Sequence, residues 1–367
     1  MKKAMDQLGV ASLGCFAHTL QLIVHEGLLS QRSVSDALAN ARKIVGHFKH
    51  SPLAYARLED IQVELNMQPK RLQQDVRTRW NSTQYMIESL IAQKRTLSAY
   101  TAEYNLPATL TANQWGLLEK ASTVLAPFEE MTRAVSASAS VADVIPVVCV
   151  LKRVLSRENE DDQGIKTMKS TLLDAVNRRF NDVESEPLYS VGTLLDPRYK
   201  DRYFTNADTL RLGNEALLAE VGKMEEVLKT TSETTASEPA DKTPRMEALG
   251  TSTSSLGSIF NEILEESQVL PVPKKTTSAQ IQVETYLSEA NIPRSDNPLL
   301  YWKVNEPRLP SLAATAVKFI CAPCTSVESE RLFSTASNVI NERSSRLTSE
   351  TAEKIIFLKK NLPLMVM

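Results

Sequence analysis

Four small groups of residues in this chain have types and spacings that chemistry could use. Cys15 and His18 lie three apart in Cys15-Phe-Ala-His-Thr-Leu-Gln-Leu22, which puts both on one face of a helix at metal-ligand spacing. That face continues to Leu22 and His25. A structural zinc site needs about four ligands, more than this stretch supplies, so the competing reading is a helix face that packs against a neighbour. Arg77-Thr-Arg79-Trp80 sets two guanidinium groups beside an indole, with Lys70 and Arg71 near in sequence. Such a group can clamp a phosphate and stack a base. The alternative makes Trp80 a core anchor at the start of a helix, with Arg77 and Arg79 solvated.

Glu330 sits in Ser326-Val-Glu-Ser-Glu-Arg-Leu-Phe-Ser334. Thr325 and Glu328 have the spacing of a capping box. That predicts a helix with Leu332, Phe333, Ala336, Val339 and Ile340 on its buried stripe. Glu330 falls on the flank of the stripe, where a carboxylate points into a site. One carboxylate cannot hold the paired divalent metals of phosphoryl transfer, so neither a metal site nor a cofactor is expected. Cys321-Ala-Pro-Cys324 reads as plain buried cysteines, because redox or zinc use would need an electropositive site or further ligands.

The elements that must position these groups read as helical. Leu20, Ile23, Val24, Gly27 and Leu28 form one stripe at helical spacing, and Val34, Leu38, Ala41, Ile44, Val45 and Phe48 form the next. Around Gln74–Trp80 the pattern shortens to a strand entering a helix at Asn81 or Ser82. Helical signals resume to about Leu155, with a start at Thr111-Ala-Asn-Gln-Trp115, and again over Ile165–Phe180. Pro197 disfavours helix at Asp196, making Leu194–Lys200 a loop or turn. Residues 229–254 are rich in Thr, Ser and Glu with almost no large apolar side chains, too few to offset chain entropy. They read as a disordered linker, followed by a short helix at Ser255–Glu266.

Composition bounds the function classes. A chain of 367 residues, 42% hydrophobic and 23% charged, is ordinary for a soluble protein and long enough for two structural units. The 42 basic and 44 acidic residues leave a formal charge of −2. Phosphate neutralisation dominates nucleic-acid affinity, so this balance argues against strong autonomous DNA binding. Four cysteines are too sparse for a disulfide framework and predict a reducing compartment. No apolar run approaches the roughly 18 residues of a membrane span. Lys359-Lys360 alone is too short for a nuclear-localisation run.

The end of the chain carries the densest motifs: Asn297-Pro-Leu-Leu-Tyr-Trp-Lys303, Leu309-Pro-Ser-Leu312, Ser326–Ser334 and Asn341-Glu-Arg-Ser-Ser-Arg-Leu347. In this order they resemble the C-terminal dimerisation region of hAT-superfamily transposases, and most of all their zinc-finger BED domain-containing relatives. The resemblance is dense over residues 284–362. Cys15–Leu22, Asp75–Thr83 and Leu194–Lys200 extend it in family order.

The resemblance implies a mainly α fold: a truncated RNase-H-like α/β remnant with a large all-helical insertion and the C-terminal dimerisation region. The expected units are 1–83 (core remnant), 84–228 (helical insertion), 229–278 (linker) and 279–367 (dimerisation region). It makes Glu330 the third acid of an Asp-Asp-Glu set, whose aspartates would lie upstream of Met1; Asp6 is a poor substitute. The BED finger and the first part of the core are likewise expected to be missing, so no catalysis is expected. Cys15 and His18 become a structural pair, and Trp80 the residue linked to a flipped base. Tyr301, Trp302, Leu312, Phe319, Leu332, Phe333, Ile340, Leu347, Ile355 and Leu358 supply more apolar surface than one small core needs. Such a surplus finds a partner, unless residues 80–220 cover it in cis. The implied protein is a non-enzyme that forms a homodimer, or a heterodimer with related hAT/BED proteins, in the nucleus. It meets DNA only weakly or through a partner, and no membrane. The alternatives are a fragment of a metal-dependent DNA transposase and a SUMO E3 ligase-like BED-family protein.

Overall fold

Helix-forming composition and 3.6-residue apolar spacing give fifteen α-helices among the described residues. The computed structural model describes residues 7, 12–76, 78–137, 140–158, 162–235, 277–340 and 347–365. Arg77, Asn341–Arg346, Asp6 and the short helix expected at Ser255–Glu266 lie outside them. The mainly α expectation holds. No strand forms among the described residues, only isolated bridges pairing Val76 with Arg79 and Ser140 with Pro323. The strand expected at Gln74–Trp80 is therefore a tight loop, and the sheet of the expected α/β remnant is not found here.

The first unit begins with α1 (Phe16–Ser30), α2 (Arg32–His50) and α3 (Pro52–Glu64), followed by α4 (Trp80–Ala92), α5 (Lys94–Glu103) and α6 (Ala112–Ala137). A 3-10 turn at Val141–Asp143 leads into α7 (Val144–Ser156), and α8 (Lys166–Arg179) closes the unit. Local signals set the boundaries. Ser51 Oγ accepts from Ala54 N at 3.1 Å, with Pro52 in the first turn. Thr111 and Gln114 exchange reciprocal capping bonds of 3.2 and 3.1 Å, as the helix start at Thr111 predicts. The stripes of α1 and α2 are buried. They join one apolar core that runs from Phe16 to Val183 and takes in Cys324. This core does not divide at residue 83: Trp80 packs edge-on against Phe128 of α6.

The second core gathers α9 (Pro187–Leu195), α10 (Ala207–Thr235), α11 (Ser278–Ser288), α12 (Pro298–Asn305) and α13 (Pro310–Ile320). Helix α10 runs past residue 229, where the linker was expected to begin. Trp302, Leu312 and Phe319 are buried in this core, and Tyr301 is half-buried beside it. The Leu194–Lys200 motif joins the two cores. Helix α9 ends at Leu195 and Asp196 is extended, as Pro197 requires. Arg198 then grips the buried Asp196 with two bonds of 2.9 and 2.6 Å and reaches Asp143 at 3.2 Å. Trp302 Nε1 donates to Leu195 O at 2.9 Å.

Helices α14 (Val327–Val339) and α15 (Ser349–Met365) form an arm, packed mainly on each other. Three sequence expectations are corrected here. Thr325 does not cap α14: the N-cap is Ser326, without a side-chain cap bond, and Glu328 pairs instead with Arg331 at 2.7 Å and Lys360 at 2.6 Å. Of the expected buried stripe only Val339 is buried; Leu332, Phe333 and Ile340 are exposed, as are Leu347 and Leu358, with Ile355 intermediate. The reason is that, among the described residues, no second layer covers that face. Finally, Cys321 is exposed, whereas Cys324 is buried.

Candidate functional site

The separate sequence motifs converge on one cleft of about 1030 Å³. One wall is the start of α1, which contributes Cys15, His18 and Gln21. The floor is the loop before α4, with Arg79 and Trp80, and the last turns of α6, with Thr132 and Arg133. The opposite wall is the first turns of α14, with Glu330 and Arg331. Sequence spacing could not have gathered these groups: residues 15 and 330 meet only because the chain returns to α1 after α13.

That return is a hydrogen-bonded seam. Phe16 N donates to Cys324 O at 3.0 Å, Val141 N to Ala322 O at 3.0 Å, and Ser326 N to Cys15 Sγ at 3.3 Å. It orients the arm against the first unit. Burial pushes the Cys324 thiol up to about 12.

Trp80 is 3% exposed and makes its edge contact inside the core. Its backbone N–H donates to Gln21 Oε1 at 3.0 Å, while its indole Nε1 has no partner among the described residues. The core-anchor reading of Trp80 is the one the packing supports, and its face is not free to stack a base. The loop before it is held by Ser82, whose hydroxyl accepts from Val76 N at 2.7 Å and donates to Arg79 O at 2.6 Å. Asp75 pairs with Arg42 at 2.8 Å. Arg79 is exposed.

The charges of the cleft are mainly cationic. Arg79 and Arg133 are exposed and form no ion pair among the described residues. Arg133 was missed at the sequence level, because it stands alone on α6 and enters the cleft only through helix packing. Tyr85 at the rim donates to Glu129 at 2.6 Å; that bond, reinforced by burial, raises the phenol pKa. Glu330 is exposed and accepts from Ser326 Oγ at 2.7 Å. It lies in the first turn of α14, where the helix dipole favours a carboxylate. Cys15 and His18 both face the cleft, but among the described residues no three His, Cys, Asp or Glu gather as a metal set. Exposed guanidinium groups such as these are able to hold phosphate groups.

Known proteins resemble this chain in sequence. Residues 282–362 match the family model described as the hAT family C-terminal dimerisation region. Residues 13–124 match the ZBED1 RNase-like helical domain. The chain is 33% identical over 363 residues to human zinc finger BED domain-containing protein 4, covering 99% of this chain and 30% of that protein. It is 28% identical to mouse zinc finger BED domain-containing protein 6, covering 96% of this chain and 38% of the relative. A Talaromyces stipitatus protein provisionally named as a transcriptional regulator, tpeD, is 23% identical, covering 96% of this chain and 42% of that protein. The chain thus spans well under half the length of each of these relatives. Its two matched regions and these relatives make the chain similar in sequence to zinc finger BED domain-containing proteins and, at its C-terminal end, to the hAT family dimerisation region.

Proposed function

We propose that the chain is a non-enzymatic, transposase-derived protein that associates through the α14–α15 arm, with a second copy or with a related hAT/BED protein. One observation carries this reading: within the region matched to the dimerisation family, Phe333 is 72% exposed, Ile340 60% and Phe357 64%. Leu332, Leu358 and Leu362 are exposed beside them in sequence. Apolar surface concentrated on two helices marks an interaction site, and a symmetric pair of arms is the simplest way to cover it. The kinship with a protein named as a transcriptional regulator supports a nuclear role in DNA or transcription regulation. Arg79 and Arg133 support weak phosphate contact in the cleft, with a partner supplying the rest of any DNA affinity. Among the described residues that line the cleft, Glu330 is the one carboxylate beside Arg79 and Arg133, which supports this over metal-dependent cleavage.

Light scattering after size exclusion tests the reading. The wild-type chain should run as a dimer, and Phe333→Asp with Phe357→Asp should give a folded monomer. A wild-type monomer that also fails to pair with a full-length BED relative would refute it.

A further inference from the structure

The seam at the root of the arm brings two cysteines together from opposite ends of the chain. Phe16 N donates to Cys324 O at 3.0 Å. A main-chain bond of this length holds the two chain segments about 5 Å apart, a separation compatible with the Cα spacing of about 4.4–6.8 Å that a disulfide spans. Tyr189 registers this: its hydroxyl, pushed up to about 12 mainly by burial, feels Cys324, Glu186 and Cys15 together. The Cys15 sulfur already reaches across the seam, accepting from Ser326 N at 3.3 Å. It is half-buried and lines the cleft, so a small oxidant reaches it, whereas Cys324 is shielded.

We infer that Cys15 and Cys324 form a reversible disulfide that fixes the root of the α14–α15 arm against α1. A peroxide supplies the oxidising equivalents. The Cys15 thiol gives up its proton, its sulfur attacks one peroxide oxygen, the O–O bond breaks, and Cys15 becomes a sulfenic acid as the departing hydroxide takes up that proton and leaves as the first water. The Cys324 sulfur then displaces the sulfenic hydroxyl, the S–S bond forms, and the second water leaves with the Cys324 proton. Two thiols are oxidised by two electrons and one peroxide is reduced to two waters. The second step is the slow one, because burial keeps Cys324 protonated. In a reducing compartment a disulfide of this kind is transient and redox-sensing. Its consequence is mechanical: α14 begins three residues after Cys324, so the bond holds the angle at which the arm leaves the body and the width of the cleft beside it.

The test uses the full chain, reduced and then treated with hydrogen peroxide, digested without reductant and mapped by mass spectrometry. The expected product is an intramolecular Cys15–Cys324 link that dithiothreitol reverses, that persists in Cys321→Ser and that disappears in Cys15→Ser. Amide exchange over Val327–Val339 should slow about tenfold in the oxidised form. A link to Cys321, an intermolecular bridge, or Cys15 driven to sulfinic acid beside a free Cys324 overturns the pairing. An unchanged exchange rate in the linked protein overturns its action on the arm.

Discussion

Lys200 Nζ donates to the main-chain oxygen of Tyr286 at 2.6 Å and lies 4.5 Å over the ring of the same residue. A second bond of 2.8 Å runs to Glu289 O. The lysine is almost wholly buried, with a backbone φ of 49° in the left-handed region. Its charge therefore serves the C-terminal carbonyls of α11, where the helix dipole favours a cation.

Replacing Lys200 with Met should leave those carbonyls with no donor. Two charge-assisted bonds are each worth about 1.5–3 kcal/mol, so a loss of about 3 kcal/mol is expected in denaturant unfolding. Lys200→Gly relieves the positive φ but not the missing charge, and should also destabilise. A wild-type midpoint in Lys200→Met would show that the clamp contributes nothing.

Gly27 should not tolerate a side chain. A Cβ there would stand 2.4 Å from Leu172 Cδ2, and Leu172 is itself fully buried. Alanine gains up to about 1 kcal/mol of helix propensity, but overpacking costs about 1–3 kcal/mol, so Gly27→Ala should be a net loss. Combined with Leu172→Ala, the cost should be smaller than the sum of the single changes. Strict additivity would mean that α1 and α8 do not approach as closely as described.

Alkaline pH should unfold the protein through its tyrosines. Burial pushes Tyr189 and Tyr301 up to about 12, and it raises Tyr199 and Tyr286 as well. Each stays protonated in the folded state and ionises near pH 10 when unfolded. Their contribution is therefore complete below about pH 10 and is lost as pH rises toward the folded values. Lys200, whose pKa burial lowers, titrates in the opposite sense below its ordinary value. Urea midpoints should fall steeply above about pH 10, along with the appearance of tyrosinate absorbance. A flat midpoint through that window would contradict the burial of these phenols.

Trp302 and Phe333 should separate stability from association. Trp302 is 1% exposed and bonded to Leu195 O, so Trp302→Ala should cost about 3–5 kcal/mol. Phe333, mostly exposed, should change chain stability by no more than about 0.5 kcal/mol when made Ala, while weakening self-association. Equal stability losses in both variants would place Phe333 in the core and undercut the arm as an interface.

The sequence by itself determined the helices. The stripes of α1 and α2, the cap at Thr111 and the break before Pro197 are local signals, and each is met in the fold. Motif type and order also pointed to the region that the hAT dimerisation model matches, because Asn297–Lys303 and Ser326–Ser334 keep recognisable residues. Periodicity shows which face of a helix is apolar, but it cannot say what covers that face. Hence Leu332, Phe333 and Ile340 read as core from their spacing, yet stand exposed in this chain. Burial is a property of neighbours, and only the tertiary structure decided them. The packing of α4 on α6 made Trp80 an anchor. The return of the chain after α13 set Glu330 opposite His18 across the cleft. The same return laid Cys324 beside Cys15, 309 positions apart along the chain, a meeting that sequence spacing has no means to express.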